Sequence, residues 1–486
     1  MKRRVVFFLF CTLIFGCLLP TSSCKKQEKV GCRYEIKAEY VPENQSLCAT
    51  QKVEYKNLTQ ECIEHLDFNL YPNAFRKESA YCPVPAAEKS AAYYAGESYG
   101  EINVTSVVGG KSWEITGVDK NLLRVYLETP LYPEDSIVLD VSFITVLASI
   151  NHRTGVGERT VNLGNFYPVL CAYSNGFYEC AYFGEGDPFV SECADYVVHL
   201  TVPKEYVAVA SGALIEESLL ESKKVCSVEV LSSRDFAVVL SKEFFVREEK
   251  VCGKLLSYYG LQGETPEQTE KAFGALKESF AFFNEQFGEY AYSTFSLVRV
   301  SMAAAGAEYP ALSMLSVNEQ AENEIKTVVH ETAHQWWYAA VGSNQIENAW
   351  QDEGLAEYST VLFFESHGDY GYSREELVQA SLTEYRSYFS TYAALEKETN
   401  TKMRKPIAEF ASGYEYRAVA YDKSVVMYDF LRSGVGEKRF FAGLSRYYAE
   451  HKFRLTTPED LIGCFEKAGA DVAGFFESFL EGKVIL

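Results

Sequence analysis

His330, Glu331, His334 and Glu353 are the residues of this chain best suited to hold a metal ion and move a proton. In His330-Glu331-Thr332-Ala333-His334 the two imidazoles stand four residues apart, so a helix would place both rings on one face, within reach of one cation, with Glu331 beside it. Eighteen residues separate His334 from Glu353, enough to finish one helix, turn and run a second back past the first. Residues 348–365 are the expected second helix. Two neutral nitrogens and one carboxylate leave the fourth tetrahedral corner to water, the arrangement of a catalytic rather than a structural zinc. Glu331 would then take the proton of the attacking water while zinc polarises the carbonyl of a peptide bond. The competing reading is a fortuitous histidine pair on a packing helix, with His334 beneath Trp336 and Trp337. Seven histidines in 486 residues make that coincidence rare.

Two neighbourhoods must position these groups. Up to about residue 250 the chain shows short strands at 34–41, 48–55, 66–70, 102–108, 123–127, 137–146, 196–202 and 225–231. Turn signals such as Gly109-Gly110 separate them, and apolar residues alternate with polar ones, as in Ile137-Val138-Leu139-Asp140-Val141-Ser142-Phe143. The pattern changes near Gly260-Leu261-Gln262-Gly263. Beyond it 266–287 reads as a helix, 295–302 and 312–317 as strands, and the remainder as successive helices. Thr457-Pro458-Glu459-Asp460 supplies an N-cap, a first-turn proline and two first-turn acids. The expected architecture is an all-β domain over residues 33–250 followed by an α+β domain over 251–486.

Composition narrows the function. Hydrophobic residues at 47% and aromatics at 14% describe a folded globular chain, and a formal charge of −21 disfavours nucleic acid and anionic membrane surfaces as partners. Residues 1–24 have a basic start (Lys2, Arg3, Arg4), an apolar run and then Thr21-Ser22-Ser23-Cys24, which reads as an export signal of lipoprotein type. Cys24 is the expected lipidated residue and Cys17 its competitor. The protein is expected on the outer face of the cell membrane, or otherwise secreted, touching membrane only through that anchor. Ten further cysteines, nine of them between Cys32 and Cys252, could form disulfides outside the cytoplasm, with no pairing readable from sequence.

The motif His330-Glu331-Thr332-Ala333-His334-Gln335-Trp336-Trp337, with Trp350-Gln351-Asp352-Glu353-Gly354-Leu355-Ala356 and, upstream, Gly306-Ala307-Glu308-Tyr309-Pro310, resembles the gluzincin zinc aminopeptidases, the family of alanyl aminopeptidase and leukotriene hydrolase. The resemblance implies a saddle-like N-terminal β domain and a thermolysin-like catalytic domain. It also implies one zinc ion on His330, His334 and Glu353, and peptide substrates with free N-termini. Glu308 falls where the family places the carboxylate that binds the substrate's α-amine, flanked by Gly306 and by Ala307, which stands where methionine is usual. Tyr421, in Ala420-Tyr421-Asp422-Lys423-Ser424, falls where the family has the tyrosine that donates to the oxyanion. Asn162-Leu163-Gly164-Asn165-Phe166-Tyr167-Pro168, Gly186-Asp187-Pro188 and Ser233-Arg234-Asp235-Phe236 match landmarks of the N-terminal domain in a bacterial lipoprotein-like branch. Asn165 is a candidate cleft residue but reads better as a turn. Glu357, four residues after Glu353 on the same expected face, reads either as a carboxylate backing the ligands or as a structural, solvated one, with the structural role favoured.

Larger family members continue into a helical domain that closes the cleft, whereas this chain ends about 65 residues after Tyr421, so a more open cleft is expected. An exported zinc aminopeptidase is therefore the leading function. A zinc endopeptidase with an open cleft, or a non-catalytic binding module on the same fold, are its rivals.

Overall fold

Strand Cys32–Val41 turns Tyr34, Ile36, Ala38 and Tyr40 inward and Arg33 and Lys37 outward, the period of two that a half-buried sheet imposes. The computed structural model describes residues 30–320 and 323–486. The expected leader, with Cys17 and Cys24, lies outside them. That strand lies inside a seven-stranded sheet with the order Ala213–Leu219, Lys223–Ser233, Ala194–Pro203, Cys32–Val41, Ser46–Lys56, Ser136–Val146, Glu101–Val108. Every pairing in it is antiparallel except Cys32–Val41 with Ala194–Pro203. Two four-stranded sheets complete the N-terminal half, one built on Ile63–Asn69 and Leu122–Leu131, the other on Val161–Gly164 and Ala237–Ser241. All eight expected strands are present, with ends moved by a few residues.

The second half opens with a five-stranded sheet ordered Phe244–Val251, Lys254–Leu261, Thr294–Val300, Leu312–Ser316, Gly306–Ala307. Its three inner strands are parallel, and helix Pro266–Gln286 makes the crossover between the first two of them. Thr265 and Gln268 form a reciprocal capping box, and Pro266 occupies the first turn. Because this sheet begins at Phe244, residues 244–250, assigned from sequence to the β domain, lie in the second half. Thr457 caps helix Pro458–Lys467 as its sequence foretold.

The helix expected over 348–365 is interrupted. A short helix, Gln345–Asn348, is capped by Asn344, and the regular helix starts at Glu353 and runs to Ser366. Between them Gln351 is buried, its side-chain amide donating to the Tyr447 hydroxyl (2.8 Å), Thr456 Oγ1 (3.2 Å) and the Thr457 carbonyl (3.1 Å). These bonds anchor the turn that delivers Glu353. Trp336, Trp337 and Trp350 are fully buried and pack as expected. The ten cysteines among the described residues are free thiols. No helix among the described residues is long and apolar enough to cross a membrane.

Candidate metal centre

Helix Glu324–Ala333 carries His330 in its last turn and leaves His334 one turn further on, at its C-terminal boundary. Helix Glu353–Ser366 packs against it and presents Glu353 from its first turn. Three ligand atoms meet there. His330 Nε2 and His334 Nε2 are 3.0 Å apart, and Glu353 Oε2 is 3.3 Å from the first and 3.2 Å from the second. A tetrahedral ion with bonds of about 2.0–2.1 Å needs ligand separations of roughly 3.3 Å, so the triangle fits one.

The other ring nitrogens fix which lone pairs face inward. His334 Nδ1 lies 2.9 Å from the Trp337 carbonyl, and His330 Nδ1 lies 2.8 Å from Glu357 Oε2. A proton held at His334 Nδ1 by that carbonyl leaves its Nε2 lone pair for a cation, and at His330 the Glu357 carboxylate stands at ion-pair distance from Nδ1. Glu357 thus stands at ion-pair distance from a ligand ring, in the place of the less favoured of the roles its spacing offered. Its spacing from Glu353 was visible, but its contact with His330 required the second helix to be in place. Without a cation, burial would depress the pKa of both histidines. The carboxylates of Glu353 and, for His330, Glu357 nevertheless hold both above the ordinary range, His334 at about 9. Burial would raise Glu353, yet the two imidazoles hold it well below the usual carboxylate value.

Glu331 is buried on the same helix. Burial pushes its pKa up to about 8, with His330 and His334 pulling the other way, and its Oε2 has no hydrogen-bond partner. Edge strand Gly306–Ala307 passes so close that a methyl at Gly306 would overlap the Glu331 carboxyl group. Among the described residues that strand has one neighbour only, Leu312–Ser316. Glu308 follows it, buried, and accepts a 3.4 Å hydrogen bond from Gln345 Nε2, which also donates to Asp352 Oδ2 at 2.6 Å. Gln335 ties this segment to the histidine helix. Its Oε1 accepts from the Ala311 amide (2.9 Å) and its Nε2 donates to the Tyr309 carbonyl (3.1 Å). Gln335 stood in the quoted motif without a role and Gln345 was not singled out, since the contacts with Tyr309, Ala311 and Glu308 join residues 24–37 positions apart.

Tyr421 sits in Arg417–Asp422, a π-helical turn between helices Gly413–Tyr416 and Lys423–Val435. Such turns shift side-chain register and recur at functional sites. The Tyr421 ring stacks on His330 at 6.1 Å, with Tyr416 edge-on at 5.7 Å. Burial, then the nearby Glu353 charge, holds its phenol well above its ordinary pKa, so it remains a proton donor. Asn165 stands outside this cluster. It is a buried turn residue with φ of 49° whose amide donates to Asp235 Oδ1 at 2.8 Å.

A His-Glu-x-x-His helix with a third ligand on the following helix, set against a mixed sheet, defines the gluzincin class of metal sites. Residues 272–479, a little under half of the chain, match the peptidase family M1 domain, so that segment is similar to peptidase family M1. It is 23% identical over 299 residues to rice aminopeptidase M1-C, covering 57% of this chain and 33% of that one. To aminopeptidase N of Streptomyces lividans it is 24% identical over 228 residues, covering 43% and 25%. The matches thus span a third or less of these relatives' length. The M1 zinc metallopeptidase from Deinococcus radiodurans superposes with a TM-score of 0.65 at 17% identity, covering 94% of this chain and 96% of that one. A point mutant of that enzyme, bound to a Tyr-Ser-Ala substrate, superposes with a TM-score of 0.63.

Proposed function

We propose that the protein is an exported zinc aminopeptidase that removes N-terminal residues from peptides. The observation that carries this reading is the 3.0–3.3 Å triangle of His330 Nε2, His334 Nε2 and Glu353 Oε2, with buried Glu331, whose Oε2 has no hydrogen-bond partner, and buried Glu308 both within electrostatic reach of it. His330, His334 and Glu353 would hold a zinc ion, which when bound would supply Lewis acidity at the scissile carbonyl. Glu331 accepts the proton of the attacking water and returns it to the departing amine. The Tyr421 phenol donates to the developing oxyanion. Glu308 receives the substrate's ammonium group in a charge-assisted bond. The free edge of Gly306–Ala307 offers backbone groups along which an extended peptide aligns. The names of the M1 relatives, and the Tyr-Ser-Ala complex of the Deinococcus enzyme, support this substrate class.

One peptide with a free N-terminus and the same peptide N-acetylated separate this function from an endopeptidase. Cleavage of the free form alone is expected, and equal rates would overturn the aminopeptidase assignment. Elemental analysis should find one zinc per chain. Glu331→Gln should retain that zinc and lower kcat by about 10²–10⁴-fold, whereas zinc binding with no turnover dependent on Glu331 would favour a binding module. Export and lipidation at Cys24, or Cys17, rest on the leader's pattern. Mass spectrometry of the mature N-terminus tests them, an unmodified uncleaved Met1 being the contrary result.

A further inference from the structure

The loop Gly184–Phe189 of the N-terminal half reaches the tyrosine side of the cleft and is gripped from behind by one cation. Arg153 Nη1 donates to Asp187 Oδ1, and its guanidinium lies 5.2 Å from the centre of the Phe189 ring. Both members of the pair are nearly buried, their side chains 13% and 10% exposed. Arg153 is fixed in turn, because its carbonyl accepts from the Gly164 amide at 3.0 Å and Thr154 Oγ1 donates to the Gly164 carbonyl at 2.6 Å. On its other side the loop touches the catalytic half directly. A methyl placed on Gly186 would lie 2.9 Å from Cζ and Oη of Tyr416 and 3.1 Å from Ile407 Cδ1. Tyr416 meets the Tyr421 ring edge-on at 5.7 Å and 71°, and Tyr421 stacks on the ligand His330.

A continuous path of close packing therefore runs from Arg153 through Asp187 and Gly186 to Tyr416 and Tyr421. Close-packed side chains transmit displacement rather than absorb it. A hydrogen-bond donor to an oxyanion loses most of its effect when moved by about 1 Å. We propose that the Arg153–Asp187 pair is a positioning device that holds Tyr421 in register through Tyr416, so that the N-terminal half contributes to the rate of the chemical step and not only to the walls of the cleft. This rests on the assignment of Tyr421 as the oxyanion donor.

The test pairs Asp187→Asn with Gly186→Ala, which keeps the ion pair but inserts one methyl against Tyr416, each made in the parent protein and in Tyr421→Phe. In the parent, kcat on an aminoacyl substrate should fall about tenfold with KM within about twofold. In Tyr421→Phe the same changes should cost less than about twofold, because their common route is already cut. Arg153→Lys should recover part of the loss seen with Arg153→Met. Equal losses in both backgrounds, or none in the parent, would overturn the proposal. A second reading is independent of hydrolysis: 3-fluorotyrosine placed at 421 should show a displaced or broadened fluorine line in Gly186→Ala and in Asp187→Asn, and an unmoved line in both would also overturn it. Absence of hydrolysis by the unsubstituted protein would sink the peptidase reading instead, leaving the fluorine line to decide this one.

Discussion

Replacing Glu357 by Gln keeps size and removes the charge that His330 Nδ1 faces at 2.8 Å. Partners of this kind orient a ligating ring and raise its basicity, so zinc affinity should fall by about 10–100-fold, measurable by competition with a chelator. An unchanged affinity would return Glu357 to a structural role. On the proposed mechanism the pH dependence of catalysis belongs to Glu331. In the metal-free cleft burial pushes it up to about 8. A dication on the neighbouring ligands favours its ionised form and brings that value down. Because a base must be deprotonated to act, kcat/KM should rise with pH along an acid limb centred below 8. A limb centred above 8 would implicate another group. At this scale the sequence was most informative where spacing is local. The histidines and Glu331 share one helix, so their geometry follows from a four-residue interval, and Glu353 follows from the length of one turn. Gln335, Gln345 and the Arg153–Asp187 pair gave no such signal, since each meets partners brought close only by the folded chain.

At the scale of elements, Arg234 joins three segments by backbone bonds alone. Its guanidinium donates to the carbonyls of Tyr338 (3.0 Å), Ser191 (2.6 Å) and Arg454 (2.9 Å), and Gly342 lies flat against it with no room for a methyl. Ser191 belongs to the N-terminal half, Tyr338 follows the histidine helix, and Arg454 precedes the strand Leu455–Thr456. Arg234→Met should leave the buried carbonyls of Ser191 and Tyr338 without this donor, at about 1–3 kcal/mol each, while the Arg454 carbonyl keeps the Gly342 amide. A loss of about 3 kcal/mol or more is expected in urea unfolding, and a change under 1 kcal/mol would show the clasp to be dispensable. The elements themselves were legible in proportion to their periodicity. Cys32–Val41 and Ser136–Val146 alternate and were read. Ala237–Ser241 is buried at every position and so presents no alternation, and Gly306–Ala307 and Val169–Leu170 are two residues long. The break before Glu353 was hidden because residues 349–352 have helical propensity, and only the long-range bonds of Gln351 divert them.

For the whole molecule, the cleft gathers Glu308, Glu331, Asp352 and Glu353 within buried surroundings. Burial, and then the charge of Glu353, holds Asp352 well above its ordinary pKa, a sign of mutual repulsion that a bound dication would relieve. Chelation should therefore lower Tm, with the loss growing with the metal's affinity, about 4 kcal/mol at a thousandfold excess over Kd. Calorimetry with and without chelator measures it, and an unchanged Tm would mean that the ligands hold no ion under those conditions.

The seven-stranded sheet carries a further consequence. Its interior strand Cys32–Val41 has one neighbour next to it in sequence, Ser46–Lys56, while the other, Ala194–Pro203, lies about 160 residues downstream and runs parallel. At 5–20 residues per second a ribosome takes roughly 8–30 s to supply it. During that interval the nascent hairpin has a bare hydrogen-bonding edge and a row of tyrosines open to other chains. Expression yield should thus depend more on chaperone supply and on the pace of translation through that stretch than on the stability of the finished fold.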